Sequence, residues 1–259
     1  MKPPAIERLA EINRRFYSEH GRDFSDTRHS LQPGVRRLIE SLNGDETILD
    51  LGCGNGGLAA ELSRRGHRGF YLGLDLSASL LEQARAGSYA FEAQFLQVDV
   101  LEITAAGGGK GIPFPLPQPT GAHDNPADSA ARTWSVIAAF AMLHHIPGRE
   151  HRLRVLSEAH EVLRPDGRFF LSVWQFLESP RFKSRIQPWS TFDLLPEDLD
   201  PGDFLLDWRH GLPGLRYVHQ FDKAELTELA AASGFTVAET FYSDGKDRRS
   251  GLYQVWRRA

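Results

Sequence analysis

Cys53 is the only cysteine in 259 residues, so no internal disulfide and no cysteine-rich metal site can form. Long apolar runs are missing too. The longest, Val136 to Leu143, is broken by His144 and His145, far short of the ~20 residues a bilayer helix needs, and no apolar leader opens the sequence. The expectation is a soluble, cytoplasmic protein with no membrane partner and no bound metal. Strong positive charge is absent as well: the net charge is -4, which argues against non-specific coating of nucleic acid but leaves a local basic patch open. Hydrophobic residues make up 41% and charged ones 25%, enough apolar surface to bury one sizeable core with elaborations rather than two full domains.

The periodicity assigns helices before strands. Ile6, Leu9, Ile12 and Phe16 recur at helical spacing from Pro3 to Tyr17, and Val35, Leu38, Ile39 and Leu42 follow Pro33 in the same way. From Thr47 onward, strands alternate with helices: strands at Thr47–Leu51, Phe70–Leu74, Phe91–Val98, Trp134–Phe140 and Arg168–Trp174, helices from Gly57, Ser77 and Arg149. That alternation is the signature of a parallel sheet covered on both faces. Asp222 with Glu225 opens a late helix, and strands near Phe235–Tyr242 and Gly251–Trp256 close the pattern. The expected organisation is a helical cap over 1–46 and an α/β domain over 47–259 with two insertions. The stretch 105–131 is rich in glycine and alternating proline, and 175–217 has enough apolar content to pack as a lid over the site.

The most informative segment is Asp50-Leu51-Gly52-Cys53-Gly54-Asn55-Gly56-Gly57, where a buried strand turns into a helix. Gly52, Gly54 and Gly57 satisfy the dinucleotide fingerprint, and Asp75 lies about 20 residues on, where a ribose carboxylate belongs; a nicotinamide or flavin enzyme is one reading. Asp50 at the mouth of the strand argues for another, because an acid repels a pyrophosphate and attracts a cationic amino group. S-adenosyl-L-methionine has that amino group and no phosphate. Asp50 would face its ammonium end, Asp75 its ribose diol and Asp99 its adenine amino group.

With these motifs, the segment from Thr47 onward resembles the class I S-adenosylmethionine-dependent methyltransferases. The resemblance implies a Rossmann-like sheet of seven strands, mostly parallel with the last antiparallel, helices on both faces, and a cofactor held by Asp50, Gly52, Gly54, Asn55, Gly56, Asp75, Leu76, Asp99 and Val100. A narrower resemblance rests on short matches in order along the chain: Asn13, Phe16-Tyr17, Phe24 to Arg28, Val173-Trp174, Pro188-Trp189, and Arg216 to Phe221 followed by Glu225-Leu226. These are similar to the tRNA methyltransferases that esterify the carboxymethyl group of the wobble uridine. Leu31-Gln32-Pro33 lacks the tryptophan usual in that family before the proline, and Ser243 to Leu252 lacks its closing Asp-Asn-Trp.

The resemblance implies a tRNA partner and a carboxylate acceptor. Such an acceptor is ionised at neutral pH and needs placement more than a base. Arg28 or Arg216 would grip it in a bidentate fork, Tyr17 and Tyr217 would close the pocket, and Trp174 would stack on a base. His144 is the candidate base for a hydroxyl acceptor, from the pair His144-His145 after the fourth strand. The pairs Arg14-Arg15, Arg36-Arg37, Arg248-Arg249 and Arg257-Arg258 could form a phosphate-binding rim. A small-molecule acceptor under the same lid is the alternative function, an inactive cofactor-binding subunit a third, and the need for a helper subunit is open.

Overall fold

The computed structural model describes residues 1–26, 30–102 and 134–259. The segment containing the expected insertion at 105–131, and Arg28, lie outside the described residues. None of the described helices is long and apolar enough to cross a membrane.

The α/β alternation produces one seven-stranded sheet. Its strands are β1 (Ile48–Leu51), β2 (Tyr71–Asp75), β3 (Ala93–Gln97), β4 (Trp134–Phe140), β5 (Leu163–Trp174), β9 (Phe235–Ser243) and β10 (Gly251–Arg258), in the order β3-β2-β1-β4-β5-β10-β9. Pairing from β3 through β5 is parallel, and β10 runs antiparallel between β5 and β9. This is the Rossmann-like arrangement expected from the sequence.

Because side chains alternate across a strand, successive strand residues feed two cores. Leu49, Leu72, Ile137 and Phe169 pack with Val155 and Leu156 of α5 (Arg149–Val162) and Leu226 and Leu229 of α7 (Lys223–Ala232). Ile48, Tyr71, Val136 and Phe170 pack on the other face with α2 (Pro33–Ile39), α3 (Gly57–Arg64) and α4 (Ala78–Ala86). Each fully buried aliphatic side chain contributes roughly 1.5–3 kcal/mol, so this two-faced core fixes the strand ends that carry the site. Ser77 caps α4 by accepting from Leu80 N, and Asp222 caps α7 by accepting from Glu225 N.

Three elements differ from the sequence expectation. The first helix, α1, runs Pro3–Asp26, well past Tyr17. Its polar second half stays helical through tertiary contacts: His20 is buried against Phe16, and Gly21 lies so close to α4 that a Cβ there would sit 2.7 Å from Ser77 Oγ. Ser77 Oγ also donates to Tyr17 O. The strand β5 starts at Leu163 rather than Arg168, with the Pro165-Asp166-Gly167 turn taken up by a register irregularity opposite Trp134 and Val136.

The expected lid contains a sheet of its own: β6 (Ile186–Gln187), β7 (Asp203–Trp208) and β8 (Gly214–His219), all antiparallel, preceded by the short helix α6 (Pro180–Lys183). One face of it buries Leu205 and Tyr217 against Ala5, Leu9 and Ile12 of α1. The other buries Leu206 and Val218 against Phe176, with Trp174 and Phe182 at the margin. Asn13 clamps the two parts together, donating to Tyr217 O and accepting from Tyr217 N.

Candidate active site

A cleft of about 970 Å³ opens where the carboxyl ends of β1, β2 and β4 face α1 and the lid, the position where open α/β sheets bind ligands. Its floor is the glycine loop. Gly52 has φ +80 and lies under Met142, whose Cγ would be 2.9 Å from a Cβ there; Gly54 has φ +55, and a Cβ on it would meet nothing within 4 Å. The first glycine is therefore demanded by conformation and packing, while the second leaves open space directly over the backbone.

Three acids line this half of the cleft. Asp50 is 3% exposed and accepts the Tyr71 hydroxyl at 2.6 Å. Burial pushes its pKa up to about 7, the Tyr71 hydrogen bond opposes the shift, and the charge of Asp75 adds to it. Asp75 ends β2 with each oxygen held, Oδ2 by Gly54 N and Oδ1 by Ser77 N, both at 2.8 Å; burial raises its pKa and these backbone donors oppose the rise. Leu76 follows it into the lining. Asp99 has a partner the sequence reading did not name, since Arg14 Nε of α1 donates to its Oδ2 at 2.7 Å while Leu101 N donates to Oδ1. Val100 lines the cleft beside it. Asn55 also points across to α1, where its Nδ2 donates to Ser25 Oγ, and Gly56, at φ +79, starts α3.

The residues present fit S-adenosyl-L-methionine. A buried carboxyl suits an ammonium, a strand-end carboxylate oriented by two backbone donors suits a diol, and the open face over Gly54 admits a ligand against the backbone.

The other half of the cleft brings some expected acceptor residues together and excludes others. Arg216 of β8 is 5% exposed and lines the cleft, its guanidinium carbon 5.0 Å from the Trp174 ring, 5.6 Å from Phe16 and 5.7 Å from Trp208. Tyr17 also lines it. The histidine assignment is corrected: His144 is 1% exposed, outside the lining, with Nδ1 accepting from Trp174 N, and His145 faces the cleft. His145 Nδ1 lies 3.1 Å from Tyr217 O and Nε2 lies 2.7 Å from the Tyr17 hydroxyl. A carbonyl can only accept, so Nδ1 carries the proton and Nε2 accepts from Tyr17.

Tyr217 is also corrected. It is fully buried away from the cleft, donating to Asp203 Oδ1 at 2.7 Å and accepting from Arg152 at 2.8 Å. That network continues through His219, whose Nδ1 meets Asp203 and Nε2 meets Glu225. Of the arginine pairs, Arg14 and Arg36 line the cleft, and several members are held by partners on the protein. Arg14 pairs with Asp99, Arg15 with Glu19, Arg36 with Glu61, Arg37 with Glu239 and Arg249 with Glu178, and Arg258 donates to His160 O and Leu163 O.

Several site features have no sequence signal. Tyr71, Arg14 and Ser172 reach the cleft or its acids only through tertiary packing. Ala141, at φ 53, makes the turn from β4 into the site, held by its N–H on Ser172 O and Oγ; a non-glycine residue there is uncommon and typical of functional turns.

Comparison with known proteins agrees with this geometry. A family model described as a methyltransferase domain matches residues 24–240. A protein of Encephalitozoon cuniculi named as a methyltransferase is 29% identical over 231 residues, 87% of each chain. The mouse tRNA (carboxymethyluridine(34)-5-O)-methyltransferase is 27% identical over 173 residues, 66% of this chain, and the match spans only 21% of that longer protein. The ubiquinone biosynthesis O-methyltransferase of Nitrosococcus oceani is 28% identical over 173 residues, 66% of this chain and 61% of its own. Among solved structures, the 1,6-didemethyltoxoflavin-N1-methyltransferase of Burkholderia thailandensis, with 1,6-didemethyltoxoflavin and S-adenosylhomocysteine bound, aligns with a TM-score of 0.60 at 20% identity over 98% of this chain and 90% of that one. With the family model covering most of its length and the glycine loop and strand-end acids in place, the chain belongs to the methyltransferase-domain family and is a class I S-adenosyl-L-methionine-dependent enzyme.

Proposed function

We propose that the enzyme transfers a methyl group to a carboxylate, that of a carboxymethyl-type uridine in tRNA. The observation that carries this reading is Arg216, a guanidinium buried at the acceptor end of the cleft and surrounded by three aromatic rings. A guanidinium fork matches a carboxylate in two parallel hydrogen bonds. The likeness to the tRNA carboxymethyluridine methyltransferases supports the same acceptor.

When bound, S-adenosyl-L-methionine supplies an electrophilic methyl group on a sulfonium. Asp50 holds the ammonium end, Asp75 the ribose hydroxyls, and Asp99, positioned by Arg14, the adenine edge. The loop Gly52, Gly54, Asn55 and Gly56 keeps the backbone open beneath, with Leu76 and Val100 as apolar walls. On the acceptor side, Arg216 orients the carboxylate, Trp174 offers a ring face to the base, and the Tyr17–His145 pair fixes the wall between the two halves. An ionised carboxylate needs no proton removed, so this side has only to orient it and exclude water.

The test is methyl transfer by the purified enzyme to tRNA bearing 5-carboxymethyluridine, read by mass spectrometry of the nucleosides, with Arg216→Lys alongside. Formation of the methyl ester by wild type, reduced at least tenfold in the variant, supports the proposal. A second reading, methylation of a small molecule, is favoured by the likeness to the ubiquinone biosynthesis enzyme. It replaces the first if wild type leaves the tRNA unmodified and methylates a carboxylate or hydroxyl metabolite instead.

A further inference from the structure

Arg185 sits between α6 and β6 with 7% of its surface exposed, and it lines the cleft. No hydrogen bond or ion pair to its guanidinium is made among the described residues; the guanidinium carbon lies over the Phe182 ring, 5.4 Å from its centroid. Arg181 approaches that ring at 5.5 Å, and Phe182 is set edge-on to Trp174 with centroids 4.4 Å apart. Asp207 attracts it from β7 without a hydrogen bond, its Oδ2 engaged by Arg209 Nε at 2.9 Å and by Gln187. Burial, with the added repulsion of Arg181, pulls the Arg185 pKa below its usual value. A guanidinium with no hydrogen-bond partner among the described residues keeps its donors for an anion of the ligand.

The short segment also carries Arg181 and Lys183, both exposed. Positive charge therefore runs from the buried Arg185 out to the surface beside Trp174 and Arg216. One carboxylate on Arg216 does not use it.

We infer that Arg185, with Arg181 outside it, binds a phosphate of the acceptor, the one attached to the nucleoside whose base stacks on Trp174. This rests on the proposed nucleotide acceptor, though the anion site itself would serve a phosphorylated metabolite as well. The outward run of charge favours a phosphodiester that continues past the cleft.

The test measures binding, so it does not depend on methyl transfer. Tryptophan fluorescence would follow titration of uridine 5′-monophosphate and of uridine, with saturating S-adenosylhomocysteine present to occupy the cofactor half. The expected result is that wild type binds the monophosphate at least tenfold more tightly than uridine, that Arg185→Gln loses this preference, and that Arg8→Gln, which removes the same charge outside the cleft, keeps it. Arg185→Met should melt at a higher temperature than wild type, since it removes a buried charge. Equal binding of the two ligands by wild type, an intact preference in Arg185→Gln, or lower melting temperatures in both Arg185 variants would overturn the inference. Phosphate-dependent binding together with no transfer to tRNA would keep the anion site and reject the tRNA acceptor. The converse result, transfer to tRNA with no phosphate preference, would do the reverse.

Discussion

Asp50→Asn should stabilise the ligand-free protein and cripple its cofactor binding. The folded chain raises the Asp50 pKa from 3.8 to about 7, so it favours the protonated carboxyl, whereas the unfolded chain ionises from about pH 4 upward. Asp50 therefore subtracts stability progressively as pH rises from about 4 to 7, and the whole cost is present above 7. A shift of about three units at ~1.4 kcal/mol each is on the order of 4 kcal/mol. The asparagine amide can still accept the Tyr71 hydroxyl, so at pH 8 the variant should melt several degrees higher, and at pH 4 the two proteins should converge. Binding runs the other way, because the ligand's ammonium needs the ionised carboxylate. Wild-type affinity for S-adenosyl-L-methionine should fall roughly fifteenfold from pH 7 to pH 5.5, where the ligand's amino group stays protonated. Asp50→Asn should bind weakly with little pH dependence. Scanning calorimetry and isothermal titration would read both effects. A variant that melts lower than wild type at pH 8, or a wild-type affinity flat over that range, would refute the reasoning.

Asp75→Ala should weaken cofactor affinity at least tenfold by titration calorimetry, since charge-assisted hydrogen bonds contribute roughly 1.5–3 kcal/mol each; unchanged affinity in a folded variant would remove Asp75 from the site. The two histidines should separate: His144→Ala should lower the melting temperature by leaving Trp174 N without its acceptor, while His145→Gln should lower the rate of transfer with little change in melting temperature. The opposite assignment would restore His144 to the cleft. Arg152→Ala should cost roughly 3–5 kcal/mol in urea denaturation, because it removes the cation shared by Asp203 and Glu225 and leaves His219 alone between the two carboxylates; a loss under 1 kcal/mol would show that the network is dispensable.

The cofactor half of the cleft is legible in the sequence because chain order dictates its neighbours. In a parallel sheet with short crossovers, strand ends that succeed one another in sequence lie side by side in space. Asp50, Asp75 and Asp99 are thus brought together by topology, and the glycines by the tight turn beneath them. Even here the partners escape: Tyr71 reads as an ordinary strand aromatic, and Arg14 as one of an exposed helix pair, until α1 brings Arg14 to Asp99.

The acceptor half follows a different physics. Whether His144 or His145 faces the cleft depends on the turn at Ala141, whose positive φ no periodicity announces. Arg152 breaks the apolar face of α5 and would be placed in solvent by charge alone; Tyr217, Asp203 and Glu225, drawn from three other elements, together with the Ile146 carbonyl make its burial tolerable. The lid sheet exists because Leu205 and Tyr217 find α1 on one side while Leu206 and Val218 find Phe176 on the other, so its strands have no reason to form until the first helix is in place. Asn13 and Tyr217, 204 residues apart, join those two segments by hydrogen bonds. A side chain such as Arg185, buried in the lid segment and lining the cleft, acquires its place only after that union.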